Sequence, residues 1–536
     1  MIPDTPQNLE QFVNLCERSQ EVQEAVLFDI LEFAKDTLIG KELGFKNIKN
    51  LDDFRLHVKT KSWKDFAPYA QKMEDGEEDI LFPGKPPYFI CTSGTTGKIK
   101  HIPESKESSK LKSTITSMRI EAMAQHFPSM MAGKMFPLVN HSIEGYTSTG
   151  IPFGSASGIT LTRASTSLKE KVAFPIELID AEYNEWIDYF MIRFALCEDV
   201  RFIPGNNAGR LAQIFQKVAD EADRIIEDIE KGTLYKIETL SETLQKKIKS
   251  FLSPNPQLSQ KLKLEKQKYG KLLPKSYWPN LKVIACWLGG SVGRYTKDLE
   301  PFLSDGVVLF DVGYGATEGK FNIPTEPNQK AGALTIHSAF YEFREVGKEE
   351  FLLSHELEDK KSYEIFVTTY SGLYRYNMGD IIQVDGFVGT TPKIFFEQKS
   401  GDMLNLCGEK VGASSLIPIV NQAVEDITKK QPYHWCIIPD EEQKNYHFCI
   451  ELPKEIQITA DTQKRIEDHL EELLKEQTLI YPIFRTQNLL HKLKVTLMKS
   501  GWQEALYKEI LKDGKSTAQT KLPLVYKEIP LKDYIL

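Results

Sequence analysis

Apolar residues recur at three- and four-residue steps over residues 8–40: Leu9, Phe12, Val13 and Cys16, then Val26, Leu27, Ile30, Leu31 and Phe33. That period predicts amphipathic helix. It breaks near Ile80, where LFPGKPPYFICTSGTTGKIKHIP reads as a strand, a loop of Gly, Ser and Thr, and a second strand. Helical spacing returns from about Ser108 to His126, and residues 176–230 read as largely helical with a break at FIPGNNAG. From Leu281 to Phe396 the runs LKVIACWL, GVVLFDVGY, GALTIHSAFYEF, SYEIFVTTY and DIIQVDGFV predict strands. Their spacing suggests a mixed sheet or barrel with glycine-rich connections.

After Phe396 the pattern changes. A helix near Ser414–Lys429, a hairpin from Trp435 to Leu452 and a second amphipathic helix near Asp461–Glu476 make up a small α+β domain. The expected division is therefore a large α/β domain over residues 1–400 and a small one over 401–536. Its hinge is expected in Gln398-Lys399-Ser400-Gly401-Asp402, where glycine permits large dihedral changes. No repeat with a period of ~20–50 residues is visible, which argues against a solenoid or propeller.

Composition narrows the function classes. A length of 536 residues implies several structural units, and 41% hydrophobic with 26% charged residues is ordinary for a soluble globular protein. The net charge of −8 makes nucleic acid and anionic membranes poor partners. No apolar run approaches the ~18 residues of a membrane span. The segment MIPDTPQNLEQF lacks the basic flank and apolar core of a secretory signal. Seven scattered cysteines without CxxC fit reduced thiols and a cytoplasmic location. Residues 244–275 hold nine lysines, but without aromatic interleaving and directly after the acidic stretch DEADRIIEDIEKG; they read as solvated helix faces, not a polyanion site.

Four segments can carry chemistry. In Thr92-Ser93-Gly94-Thr95-Thr96-Gly97-Lys98-Ile99-Lys100 the glycines free the backbone to aim N–H groups at an anion. Hydroxyls and lysines there can hold phosphate oxygens. The spacing is not that of a Walker A loop, since two residues rather than four separate the glycines. In Asp311-Val312-Gly313-Tyr314-Gly315-Ala316-Thr317-Glu318-Gly319 an apolar strand enters a small-residue turn. Tyr314 could stack on a purine and Glu318 could hold magnesium; alone, Glu318 would read as a surface carboxylate on a turn. In GLYRYNMGD, Asp380 after Gly379 can accept two ribose hydroxyls or simply shape a turn. In GKSTAQTKLP, Lys521 alone would be a solvated loop lysine. The ten histidines include no HExxH; His141 and His337 read as structural. Trp186, Tyr189, Phe190 and Met191 read as core.

The loop TSGTTGKIK resembles the phosphate signature of the adenylate-forming superfamily that includes firefly luciferase and acyl-CoA synthetases. The segments YWPNLKVIACWLGGSVGRYTKDLEPF, YGATEGKFNIP, SAFYEFREV, YEIFVTTYSGLYRYNMGDIIQVDGF and STAQTKLP narrow this to the plant auxin-responsive acyl acid–amido synthetases and their bacterial relatives. The resemblance spans about Leu27 to Lys527, with two departures: Ile99 where the superfamily commonly has proline, and Leu524 where plant members usually carry arginine.

The resemblance implies a large adenylating domain, built as a distorted barrel and two sheets flanked by helices, with a small mobile C-terminal domain. It implies ATP and magnesium as cofactors, and a carboxylic acid and an amino acid as substrates. An acyl-adenylate forms with release of pyrophosphate, and the amine then displaces AMP. Ser93, Thr95, Thr96 and Lys100 would hold phosphates; Gly289, Gly290 and Ser291 would border the adenine and Tyr314 would pack on it. Thr317 and Glu318 would serve phosphate and magnesium, Asp380 the ribose, and Lys521 the reacting carboxylate and α-phosphate. Phe340 and Tyr341 would line the acyl pocket. The alternatives are an acyl-CoA ligase with the same first step and an inactive acyl-binding module. Glu318 and Lys521 together argue against the inactive module. Residues 401–536, with 18 Lys plus Arg against 20 Asp plus Glu, offer no basic excess for coenzyme A phosphates.

Overall fold

A computed structural model describes residues 5–91, 100–139, 142–180, 185–404, 406–407, 411–478, 481–512 and 522–536. The chain forms two compact units. The first comprises Met1–Glu345, Glu350–Met378 and Gln383–Phe395; the second comprises Val346–Glu349, Gly379–Ile382 and Phe396–Leu536.

Three sheets organise the first unit. A parallel sheet places Lys134–Met135, Val200–Pro204, Val283–Cys286 and Val308–Asp311 side by side in that order. All four residues of Val283–Cys286 are buried, as expected for an inner parallel strand covered on both faces. Here the structure corrects two readings. The break at FIPGNNAG contains a strand, Val200–Pro204, inside a largely helical stretch. The strands 283–286 and 308–311 join it rather than the strands that follow them in sequence. Those later strands make a seven-stranded sheet ordered Phe351–Leu352, Ala339–Glu345, Ser362–Thr369, Tyr376–Val388, Thr391–Lys399, Gly332–Leu334 and Asn322–Ile323. The third sheet contains the antiparallel hairpin Tyr88–Cys91 with His101–Glu104, in register from Tyr88 opposite Glu104 to Cys91 opposite His101. These are the two predicted strands; residues 92–99, predicted as the loop between them, lie outside the described residues.

The lysine-rich run has a simple outcome. Helix Pro256–Tyr269 packs on helix Ala222–Lys231, and Lys263 and Lys266 pair with Glu230 and Asp223 at 2.6 Å each. Two lysines of the run thus meet the acidic segment that precedes it, and Lys247 pairs instead with Glu177 at 3.1 Å.

The second unit has a sheet of His434–Asp440, Asn445–Glu451 and Lys494–Met498, the first pair antiparallel and the second parallel. Helices Ile417–Thr428 and Ala460–Gln477 pack on one another, and the second also packs on the strand Lys494–Met498. Trp435, Phe448, Leu470 and Leu497 lie in the core of this unit. Leu524 belongs to the same core at 1% exposure, and its carbonyl accepts the Ile437 N–H at 2.8 Å. Leucine at this departure from the plant pattern is thus a packing residue. None of the seven cysteines is in a disulfide. Among the described residues no helix is long and apolar enough to cross a membrane.

Candidate active site

Two loops of the first unit leave the parallel sheet side by side, after Val283–Cys286 and after Val308–Asp311, and Asp311 ties them together. Its carboxylate accepts the Leu288 N–H at 2.8 Å and the Gly313 N–H at 2.7 Å. The Trp287 indole N–H adds a bond to the Gly313 carbonyl at 3.3 Å. Burial pushes the Asp311 carboxyl up to about 6, opposed by these amides and by the Arg119 charge. Gly289 follows directly. Gly290 and Ser291 begin the 3-10 helical stretch Gly290–Phe302.

Arg119 of helix Lys106–His126 is the second fastener. Its guanidinium donates to the Tyr314 carbonyl at 2.9 Å and to the Asn322 carbonyl at 2.7 and 2.9 Å. Asn322 in turn accepts the Tyr314 N–H at 2.7 Å through its side chain. Gly313 makes the close approach possible: its φ is +91° and a β-carbon there would lie 2.4 Å from the Arg119 guanidinium carbon. Tyr314 itself is buried, its ring 5.0 Å from that of Phe321.

Beyond Tyr314 the chain makes a tight reversal. Gly315 bridges Lys320, and Ala316 and Gly319 exchange N–H···O bonds at 2.9 and 3.3 Å. Thr317 and Glu318 stand at its tip. Glu318 is buried, yet its carboxylate makes no hydrogen bond or ion pair among the described residues. The side chain is buried while its carboxylate oxygens are not sealed from solvent, so the acceptor is open to a ligand. Among the described residues no group of three or more His, Cys, Asp or Glu is placed to hold a metal. A magnesium ion held chiefly by phosphates and water needs only one or two carboxylates, so Glu318 fits it. Thr317 turns its carbonyl to the Lys112 ammonium at 2.9 Å. Lys320 lies partly buried against the Thr116 hydroxyl. Burial draws its ammonium down to about 7, the Arg119 and Lys112 charges acting the same way and Glu104 against them.

The hairpin 88–104 carries Lys100 at its far end, 3.5 Å from the Tyr376 hydroxyl and 5.9 Å from the Trp63 ring centroid. Ser93, Thr95 and Thr96 lie outside the described residues, as do His141 and Lys521. Phe340 and Tyr341 are both buried but alternate across one strand. Phe340 packs edge-on against Phe54 at 5.9 Å, whereas Tyr341 faces Phe321 at 6.1 Å. Only Tyr341 is on the side of the 311–322 loop. His337 is fully buried at the turn before this strand, 5.5 Å from the Phe12 ring, with neither ring nitrogen hydrogen-bonded. In the second unit, Asp380 is 2% exposed and forms an ion pair with Lys399.

The segment 368–376 is locked from several sides. Gly372, at φ +83°, sits where a β-carbon would meet Leu81 at 2.4 Å. Arg375 forks onto Glu342 at 2.6 and 3.1 Å and donates to the Val58 carbonyl at 2.9 Å. Arg55 adds a second guanidinium to Glu342 at 2.8 Å. The fasteners Glu104, Lys112, Arg119 and Asp311 were not singled out from the sequence. The available signal, Lys112, Thr116 and Arg119 at helical spacing, is hidden in a helix whose residues are mostly polar.

Three consecutive family models match the chain: the GH3 family N-terminal domain over residues 8–308, the central domain over 332–399 and the C-terminal domain over 416–529. The putative indole-3-acetic acid-amido synthetase GH3.9 of Arabidopsis thaliana is 25% identical, the match covering 96% of this chain and 93% of that one. The indole-3-acetic acid-amido synthetase GH3.8 of Oryza sativa subsp. indica is 23% identical over 94% of this chain and 87% of its own. In fold, the chain is similar to GH3.15 acyl acid amido synthetase with a TM-score of 0.84 at 21% identity, covering 100% of this chain and 98% of that one. With its domains matched in order over most of its length, this chain belongs to the GH3 family.

Proposed function

We propose that the chain is an ATP-dependent acyl acid–amido synthetase. A carboxylate oxygen attacks the α-phosphorus of ATP, the bond to the β-phosphate oxygen breaks and pyrophosphate leaves. An amino acid nitrogen then attacks the acyl carbon, loses a proton, and AMP departs with its oxygen. The observation that carries this reading is Glu318, a largely buried side chain whose solvent-reachable carboxylate has no partner among the described residues, at the tip of a reversal fixed by Lys112 and Arg119, in a chain whose curated relatives are named amido synthetases over nearly their whole length.

The first step brings two anions together, so positive charge and donors must already be in place where negative charge develops. Lys100 and the hydroxyls of Ser93, Thr95 and Thr96 hold phosphates; Thr317 adds a further donor. Gly289, Gly290 and Ser291 border the adenine beside Tyr314, and Asp380 accepts from the ribose. Lys521, in the small domain proposed to span residues 401–536, neutralises the reacting carboxylate. Magnesium, when bound, supplies charge at the phosphate oxygens, and Glu318 would hold it. Tyr341 lies on the acyl side.

The test is ATP–pyrophosphate exchange across aromatic, indole, aliphatic and hydroxy acids. An active acid is then supplied with pooled amino acids and coenzyme A together, and products are identified by mass. Amide with AMP is expected. Thioester without amide would leave adenylation standing and overturn the acceptor assignment; no exchange with any acid would overturn adenylation itself.

A further inference from the structure

Helix Lys106–His126 passes between the hairpin 88–104 and the 316–319 reversal, and one buried ion pair joins all three. Lys112 donates to Glu104 at 2.7 Å and to the Thr317 carbonyl at 2.9 Å. The Glu104 carboxylate also accepts the Ser371 hydroxyl at 3.1 Å, and that hydroxyl accepts the Ser105 N–H at 3.3 Å. Glu104 is fully buried and the Lys112 side chain is 14% exposed. The second oxygen of Glu104 has no partner among the described residues.

Such a pair is a poor device for stability alone. Removing two charges from water costs several kcal/mol, and a well-packed apolar pair of similar volume commonly does as well or better. What an apolar pair could not do is hold the Thr317 carbonyl. The reversal closes on itself through Ala316 and Gly319, and the Thr317 carbonyl is bound, among the described residues, by Lys112. The next side chain is Glu318. We infer that Lys112 and Glu104 are positioning residues for adenylation: they fix the Thr317–Glu318 tip relative to the strand that leaves the phosphate loop.

This rests on the proposed adenylation, so its test has one arm independent of turnover. In the protein without substrates, Lys112→Met should raise amide hydrogen exchange in peptides covering 312–321 and leave peptides covering 88–91 protected. In ATP–pyrophosphate exchange with an acid active for the wild type, the same variant should lose about tenfold or more in kcat while KM for ATP changes little, the pattern expected when a group is misplaced rather than a binding contact removed. Lys112→Arg, which can still reach both acceptors, should recover most of that loss. Should Lys112→Met fail to fold, Glu104→Gln, which keeps the shape and removes the charge, should show the same kcat-dominated loss. An unchanged exchange pattern at 312–321 would overturn the structural half of the inference. A loosened reversal with wild-type kcat would overturn the functional half. Inactivity of the wild type with every acid would count against adenylation, while hydrogen exchange would still report on the tether.

Discussion

Segments 311–322 and 368–376 both bury a charged side chain, and they treat it in opposite ways. Arg375 is held at φ +47° with its guanidinium engaged by Glu342 and the Val58 carbonyl, and it lies 4.7 Å over the Phe351 ring. Glu318 is nearly as buried and has no protein partner at all among the described residues. The first arrangement closes a network and leaves nothing for a ligand to do. The second leaves a carboxylate that the described residues do not engage and that a ligand can reach. A stretch that is highly specific to a family can therefore be mainly a lock, and the chemistry can sit on the less elaborate one.

Breaking the lock should give the largest effect. Arg375→Met leaves a forked carboxylate with only Arg55, and the expected loss is about 3 kcal/mol of unfolding free energy, the scale for removing one partner of a buried pair. Denaturant unfolding measures it; a midpoint equal to wild type would show that Glu342 is satisfied without Arg375. Glu318→Gln should do the reverse. Stability should stay close to wild type, because the carboxylate has no bond to a described residue to lose, while pyrophosphate exchange should fall roughly a hundredfold. A destabilised Glu318→Gln protein with normal exchange would put Glu318 with the structural residues.

His337 sharpens the comparison, being buried and unpartnered but neutral. Burial draws its imidazole from 6.5 down to about 3. The unfolded chain takes up a proton as pH drops below 6.5 and the folded protein does not, so this contribution to stability is complete at neutral pH and is lost as pH falls toward 3. By pH 5 the loss is about 2 kcal/mol. His337→Leu should remove that acid-dependent part, so that its stability declines less between pH 7 and 5. Parallel curves for the two proteins would mean that the imidazole finds a partner or water.

Sequence reading found what local pattern encodes. The hairpin 88–104, helix Lys106–His126 and the small reversal after Tyr314 all carry their signals within a few residues: alternation, helical period, glycine spacing. It missed the strand Val200–Pro204, because a short apolar run buried on both faces has no alternation and sits among helices. It missed the fasteners for a different reason. Lys112 and Thr317 are 205 residues apart, and Arg119 and Asn322 are 203 apart. No periodicity in one chain links such positions. Phe340 and Tyr341 face opposite ways because they are adjacent on one strand.

The smallest effect belongs to the lysine-rich run, and it completes the series from buried and paired to exposed and paired. Lys263 and Lys266 meet Glu230 and Asp223 across two surface helices, with Lys263 and Glu230 about half exposed. Water and salt screen such pairs, and holding two long side chains in one geometry offsets much of the attraction. The apolar contact between the helices carries the packing instead: Ile225, Ile229 and Leu262 are fully buried. Lys263→Ala with Lys266→Ala should therefore leave the thermal midpoint unchanged within error, at low and at high salt alike. The same double variant also decides the older question of a polyanion site. Because the acidic helix already neutralises this face, wild type and variant should both pass through a heparin column at moderate salt. Retention of the wild type and its loss in the variant would mean that the lysines act outward, and the run would then be a binding surface after all.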